Sequence, residues 1–252
     1  MLVVRMSAPG KSSQLAQTPE LVRDLAQRMR GIEQSFAGRV DEKTISSGIV
    51  EFDKLLPHNG FRPGKLVEWL ADGAGSPTTT LATVALKNIL GHDGILAVID
   101  ADHTFYPPAA ELLGLDLQRT VIVRPDSQAD LLWAAEQALR CQGVSAVLCW
   151  IEIAGQHVFR RLQLAAETGN GLGFLMRPAS ARRQAAWADV RLLVRPRGER
   201  SIHGRSVSVE LLKQRGGFAA GMVELEICHE TGDVRLAAEL AAATPQDRAA
   251  RI

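Results

Sequence analysis

A loop of small residues between Asp72 and Leu81 has a composition that suits binding of a phosphate group. It follows a strand-like run at Gly64–Leu70 and precedes a helical pattern at Thr80–Leu90. Glycines let backbone N–H groups approach a phosphate, and hydroxyl groups at a helix N-terminus add hydrogen bonds. The candidate phosphate-contacting residues are therefore Gly73, Gly75, Ser76, Thr78 and Thr79.

This loop lacks the lysine of a working phosphate-binding loop. Such a loop carries Gly-Lys followed by Ser or Thr, with the lysine on the β- and γ-phosphates and the hydroxyl on magnesium. Counting back from Thr79-Thr80-Leu81, Thr78 holds the lysine position and Pro77, which has no N–H, holds the glycine position. Taken alone, the loop is explained equally well by a plain strand-to-helix turn and by a phosphate site. We expect a vestigial loop without a cofactor, with residual ATP binding left open.

Two carboxylates, Asp100 and Asp102, stand at the end of the apolar run Gly94–Asp100. Paired carboxylates at a strand end are typical of acid–base sites. The three cysteines are scattered and form no C-x-x-C pair, and the histidines show no ligand spacing. We therefore expect no metal site.

Strand-like and helical segments alternate through the centre of the chain. Strand-like runs fall at Gly64–Leu70, Gly94–Asp100, Thr120–Val123, Val144–Ile151, Gly173–Met176, Val190–Val194, Val207–Leu212 and Gly221–Cys228. Helical patterns fall at Ile49–Leu56, Thr80–Leu90, Pro107–Leu113, Asp126–Cys141 and Val158–Thr168, after an N-terminal helix at Thr18–Phe36. Alternation with nearly continuous apolar strands predicts an α/β fold with a mainly parallel central sheet flanked by helices, and the later strands predict an antiparallel C-terminal extension. The predicted organisation is an N-terminal segment at 1–44, a core at 45–234, and a helical or frayed tail at 235–252.

Composition narrows the class of protein further. The chain has 252 residues, 46% of them apolar, and a net charge of +1. It has no apolar run long enough to cross a membrane and no early apolar stretch typical of a secretory signal, so we expect a cytoplasmic protein without membrane contact.

Positive charge is concentrated late in the chain. Ten Arg or Lys residues but only three acids lie between Arg177 and Arg215. Arginines can contact phosphate, and an aromatic ring beside them can stack on a base. The candidate contacts to a partner or to DNA are Arg177, Arg182, Arg183, Trp187, Lys213 and Arg215. A solvated basic surface and a buried aromatic anchor explain the same residues, so a weak DNA contact is left open.

An ordered series of segments resembles RecA recombinases. It comprises Met29–Phe36, Thr44–Gly48, Gly60–Glu68, Val98–His103, Leu113–Asp116 and Gln137–Leu139. The resemblance covers about Arg23 to Cys228 and implies a RecA-like P-loop NTPase core.

Further segments resemble the ImuA group, which is related to the SulA cell-division inhibitors. They are Tyr106–Ala110, Arg160–Glu167, Gly173–Pro178 and Leu211–Gly217. This resemblance implies a role in damage-induced (SOS) translesion DNA synthesis. The partners that it implies are an ImuB-like Y-family protein and an error-prone replicative-type polymerase.

The chain departs from a working ATPase at three positions. Thr78 replaces the loop lysine, Trp150 stands where the resemblance places the Walker B aspartate, and Asp102 replaces the glutamate that activates water. Phosphoryl transfer depends on positioning and charge neutralisation, so we expect no ATP hydrolysis and a relic acidic site at Asp100 and Asp102. The alternatives are a SulA-like inhibitor that binds the tubulin-like division protein and an atypical ATP-binding protein.

Overall fold

The structure is a computed structural model, and it describes residues 44–73, 75–152, 155–185, 187–198, 204–214, 221–228 and 231–237. The chain divides into two compact units, Met1–Glu42 and Lys43–Ile252, and all described residues belong to the second. The helix predicted at Thr18–Phe36 lies outside the described residues.

A single sheet of nine strands forms the centre of the described unit. The strands are β1 (Leu66–Ala71), β2 (Leu96–Ile99), β3 (Thr120–Val123), β4 (Ala146–Trp150), β5 (Leu172–Pro178), β6 (Val190–Arg197), β7 (Gly204–Gln214), β8 (Met222–Cys228) and β9 (Val234–Leu236). Their order across the sheet is β3-β2-β4-β5-β1-β6-β7-β8-β9. Strands β1 to β6 pair in parallel, and β6 to β9 pair antiparallel. The predicted parallel core with an antiparallel extension is confirmed.

Five α-helices accompany the sheet in the part of the chain that the structure describes. They are α1 (Val50–Leu55), α2 (Thr78–Leu90), α3 (Pro107–Leu112), α4 (Gln128–Arg140) and α5 (Gln156–Gly169). Helix α4 begins where the Ser127 hydroxyl accepts a hydrogen bond from the Asp130 N–H, as N-cap serines do. Helix α2 begins at Thr78, two residues earlier than predicted, because the backbone torsion of Pro77 suits the start of a helix.

The two faces of the sheet carry separate cores. On one face α1 and α2 cover an aromatic cluster in which Trp69 of β1 lies 5.7 Å from Phe52 and 5.2 Å from Phe174, measured between ring centroids. On the other face α4 and α5 cover β2, β4 and β5. The single-turn helix at Ala179–Arg183 covers Leu70 and Leu193 farther along this second face. Burial on both faces explains the nearly continuous apolar strands.

The start of the predicted C-terminal tail is a strand. Arg235 and Leu236 belong to β9 and pair with Glu226 and Leu225 of β8. The prediction of a helical or frayed segment from Arg235 is therefore wrong at its first residues, because the exposed edge of β8 offers backbone partners that helical propensity does not take into account. Residues 238–252 lie outside the described residues.

Candidate functional site

The loop after β1 lies at the carboxyl edge of the parallel strands, together with the ends of β2 and β4. Ligands of open α/β sheets bind outside this edge, so the predicted loop stands where a ligand site is expected. Gly73 and Gly75 adopt φ angles of 82° and 74°, in the left-handed region that favours glycine. The loop turns from β1 into α2 at Pro77.

The side chain of Thr78 points into the protein, and the residue is only 1% exposed. Its hydroxyl oxygen lies 2.6 Å from that of Ser76, and the Ser76 hydroxyl donates to the carbonyl of Val194 at 3.2 Å. Since Ser76 donates its one proton to Val194, the Thr78 hydroxyl donates to Ser76. The two hydroxyls are therefore bonded to the protein itself.

Two arginines of the C-terminal strands hold the loop. Arg195 of β6 donates to the Asp72 carboxylate at 2.9 Å and to the Glu210 carboxylate at 2.6 Å. Hydrogen bonding to Glu210 and Asp72 raises the pKa of Arg195 above its ordinary value. Arg205 of β7 donates to the Gly75 carbonyl at 3.3 Å and to the Thr80 hydroxyl at 3.1 Å. Sequence reasoning missed both arginines, because their partners in the loop are more than 100 residues away.

The predicted pair of carboxylates is divided between two environments. Asp100 is fully buried and accepts hydrogen bonds from the N–H and hydroxyl of Thr104, at 2.8 and 2.9 Å, and from the N–H of Phe105 at 3.0 Å. Asp102 is exposed. Asp100 therefore holds the turn after β2. Burial, with a contribution from Asp100, raises the pKa of the neighbouring Cys149 thiol well above its usual range.

Trp150 ends β4 beside this turn. Its ring is partly buried and lies 6.4 Å from that of Phe105 between centroids. A cleft of about 760 Å³ opens next to it, and Asp102, Arg124 and Glu152 contribute to its wall. An indole in this position contributes apolar contact and no negative charge, whereas Asp102, Asp126 and Glu152 supply carboxylates to the wall of the same cleft.

Comparison with known proteins identifies the architecture. Residues 30–154 match the model of the RecA N-terminal domain. The crystal structure of the RadB recombinase superposes with a TM-score of 0.59 at 16% identity, covering 77% of this chain and 99% of that one. The fold is RecA-like.

Curated relatives share sequence with part of this RecA-like chain. The RecA proteins of Francisella philomiragia and of Francisella tularensis subsp. novicida are each 32% identical to it over 120 residues. The aligned region is 48% of this chain and about a third (32% and 33%) of the two relatives. The chain therefore spans about a third of the length of the curated relatives it matches.

Only some of the predicted contact residues between Arg177 and Arg215 are exposed on the RecA-like core. The Arg177 side chain is completely buried in an ion pair with Glu68, so the prediction that it contacts a partner or DNA is wrong. Arg182, Arg183 and Trp187 are exposed, and Arg182 lies 3.8 Å from Glu210. Lys213 is half-buried on β7. Arg215 lies outside the described residues.

Two further properties concern the described part of the RecA-like chain. Within it, no helix is both long and apolar enough to span a membrane. Over the same residues, no three His, Cys, Asp or Glu side chains are grouped so that they could hold a metal ion.

Proposed function

We propose that this protein is a non-catalytic RecA-like adaptor in damage-induced translesion DNA synthesis. It would act through contacts with an ImuB-like Y-family protein and an error-prone replicative-type polymerase. The main support is the loop after β1, where the sequence has Thr78 at the position expected for a phosphate-binding lysine, and where Thr78 is buried and bonded to Ser76. The ImuA-like segments of the sequence support the choice of partners.

The residues of the loop and its surroundings fit a magnesium–nucleotide complex poorly. Trp150 contributes no charge to a metal, and both carboxylate oxygens of Asp100 accept hydrogen bonds from the turn after β2. Arg205 donates to the loop itself. Phosphoryl transfer needs fixed positive charge and a positioned metal, so we infer that the loop persists as a structural turn.

The adaptor function is tested by recovery of partners. The tagged full chain is expressed in its host, DNA is damaged, and copurifying proteins are identified. We expect a Y-family-like protein or an error-prone polymerase. Recovery of the tubulin-like division protein without a polymerase would favour the SulA-like alternative. Deletion of residues 238–252 leaves β9 in place and shows whether the end of the chain is needed for binding.

A separate assay tests the absence of catalysis. We expect the purified chain to show neither magnesium-dependent ATP binding nor hydrolysis above background. Turnover that disappears in the Asp102→Ala variant would instead support an atypical ATPase. The Asp126→Ala variant is the control, because Asp126 is an acid that lines the same cleft.

A further inference from the structure

A charged cluster is buried in the centre of the sheet, away from the loop after β1. Glu68 of β1 is fully buried, and the strands on either side of β1 each direct one arginine toward it. The Arg177 guanidinium of β5 donates to one carboxylate oxygen of Glu68 at 2.7 Å. The Arg191 guanidinium of β6 donates to the other oxygen.

The other donors of the two arginines bind backbone carbonyls that follow β4 and β5, and one of them binds a side chain. Arg177 donates to the carbonyls of Ile151 and Glu152, each at 3.2 Å, and so holds the residues that follow β4. It also donates to the Gln184 side-chain oxygen at 2.6 Å. Its guanidinium carbon lies 5.3 Å above the centroid of the Phe159 ring.

Arg191 holds the segment that follows β5. It donates to the carbonyls of Gln184 at 2.9 Å and Ala185 at 3.3 Å. This segment includes the single-turn helix at Ala179–Arg183 and continues to Ala185. Because Arg177 also bonds to the side chain of Gln184, both arginines contact the segment. The cluster thus connects β1 to the backbone after β4 and to the backbone after β5.

The charges of the cluster do not cancel. Two guanidinium groups face one carboxylate, which leaves one net positive charge in the interior. A buried cation is tolerated when its donors are hydrogen-bonded, and here the four carbonyl groups and the Gln184 amide accept those bonds. Moving either backbone segment away would leave buried donors without acceptors.

We propose that Glu68, Arg177 and Arg191 form a permanent latch that holds residues 151–152 and 179–185 in one conformation. This part of the carboxyl edge is then formed before any ligand or partner arrives, and binding there carries little cost of ordering the backbone. Arg182 and Arg183 project from the held segment. The latch does not depend on the adaptor function.

Hydrogen exchange of the full chain, followed by mass spectrometry, tests the latch. Gln184→Ala removes one acceptor of Arg177 and leaves the ion pairs with Glu68 intact. We expect the peptide covering residues 179–185 to exchange about tenfold faster in this variant, with β2 and β4 unchanged. Gln118→Ala, which changes an exposed glutamine outside the latch, is the control and should leave the peptide unchanged.

A second variant extends the test. Glu68→Gln should speed exchange at both held segments, and if it does not fold, Gln184→Ala alone decides. The proposal is overturned if Gln184→Ala exchanges like the wild type, or if folded Glu68→Gln leaves both segments unchanged.

Discussion

At the scale of single residues, neighbouring acids can have unrelated roles. Asp100 and Asp102 are two positions apart, yet one is fully buried with three hydrogen bonds and the other faces solvent. The buried carboxylate accepts a hydrogen bond from the buried N–H of Phe105, and it also accepts from Thr104 at the surface. Its contribution is therefore to stability.

We expect Asp100→Ala to lower the free energy of unfolding by about 1–3 kcal/mol, because it leaves the buried N–H of Phe105 unpaired. Asp102→Ala should change it by less than about 0.5 kcal/mol, as is usual for an exposed residue. Urea unfolding of both variants measures the difference. Equal losses would contradict the assignment of Asp100 to the turn.

Cysteine reactivity gives a second residue-scale prediction. Cys149 is fully buried and its thiol pKa is raised by burial, whereas Cys141 is exposed after α4. Only the thiolate reacts, so N-ethylmaleimide at pH 8 should modify Cys141 on the order of 100-fold faster than Cys149. Peptide mass spectrometry gives both rates. In urea the two thiols should react at similar rates, whereas similar rates in the folded protein would contradict the burial of Cys149.

At the scale of elements, the end of α5 meets the end of α4 at unusually close range. A Cβ atom added to Gly169 would lie 2.1 Å from the Leu139 carbonyl oxygen and 2.8 Å from the carbonyl carbon of Arg140. Backbone atoms cannot rotate away as side chains do. Glycine at this position therefore lets the two helices approach each other.

Gly169→Ala should lower the free energy of unfolding by about 3 kcal/mol, because the helices must separate to admit the methyl group. Gly143→Ala is a matched control, since its added Cβ would meet only the Cys141 sulfur at 3.8 Å. That variant should be neutral or more stable by up to about 1 kcal/mol. Thermal and urea unfolding compare them, and a neutral Gly169→Ala would mean that the helices lie farther apart.

At the scale of the whole molecule, the antiparallel extension is bound into the parallel half. Arg195 joins β6 to Asp72 in the loop after β1 and to Glu210 on β7, and Arg205 reaches the loop from β7. The exposed residues Arg182, Arg183 and Trp187 lie near this junction in sequence, between β5 and β6. If the adaptor function is correct, we propose that a protein partner contacts these three residues.

If the adaptor function is correct, the combined variant Arg182→Glu, Arg183→Glu and Trp187→Ala should weaken partner binding at least tenfold, roughly the loss of one binding hot spot. Its melting temperature should fall by no more than about 4 °C, because all three side chains are exposed and the lost ion pair of Arg182 with Glu210 lies at the surface. The matched control combines Arg124→Glu, Trp133→Ala and Arg160→Glu, which are also exposed. Equal losses of affinity in the two variants would refute this location of the interface.

Much of the fold follows from short-range patterns in the sequence. Apolar runs of strand length placed β1 to β8, and helical periodicity placed α1 to α5, because each pattern depends on residues only a few positions apart. The loop after β1 was recognised from its glycines and its position before a helix. The same local information predicted the α/β fold and located the loop and the two aspartates.

The partners of charged residues were decided by the tertiary structure alone. Arg177 could be read from the sequence as a surface contact, but its carboxylate partner Glu68 is 109 positions away. Only the strand order, which places β5 and β6 on either side of β1, brings Arg177 and Arg191 to the same carboxylate. In the same way, Arg235 belongs to a strand because the edge of β8 offers it a backbone partner. Local periodicity specifies which segments are strands, whereas sheet order and register decide which distant side chains meet.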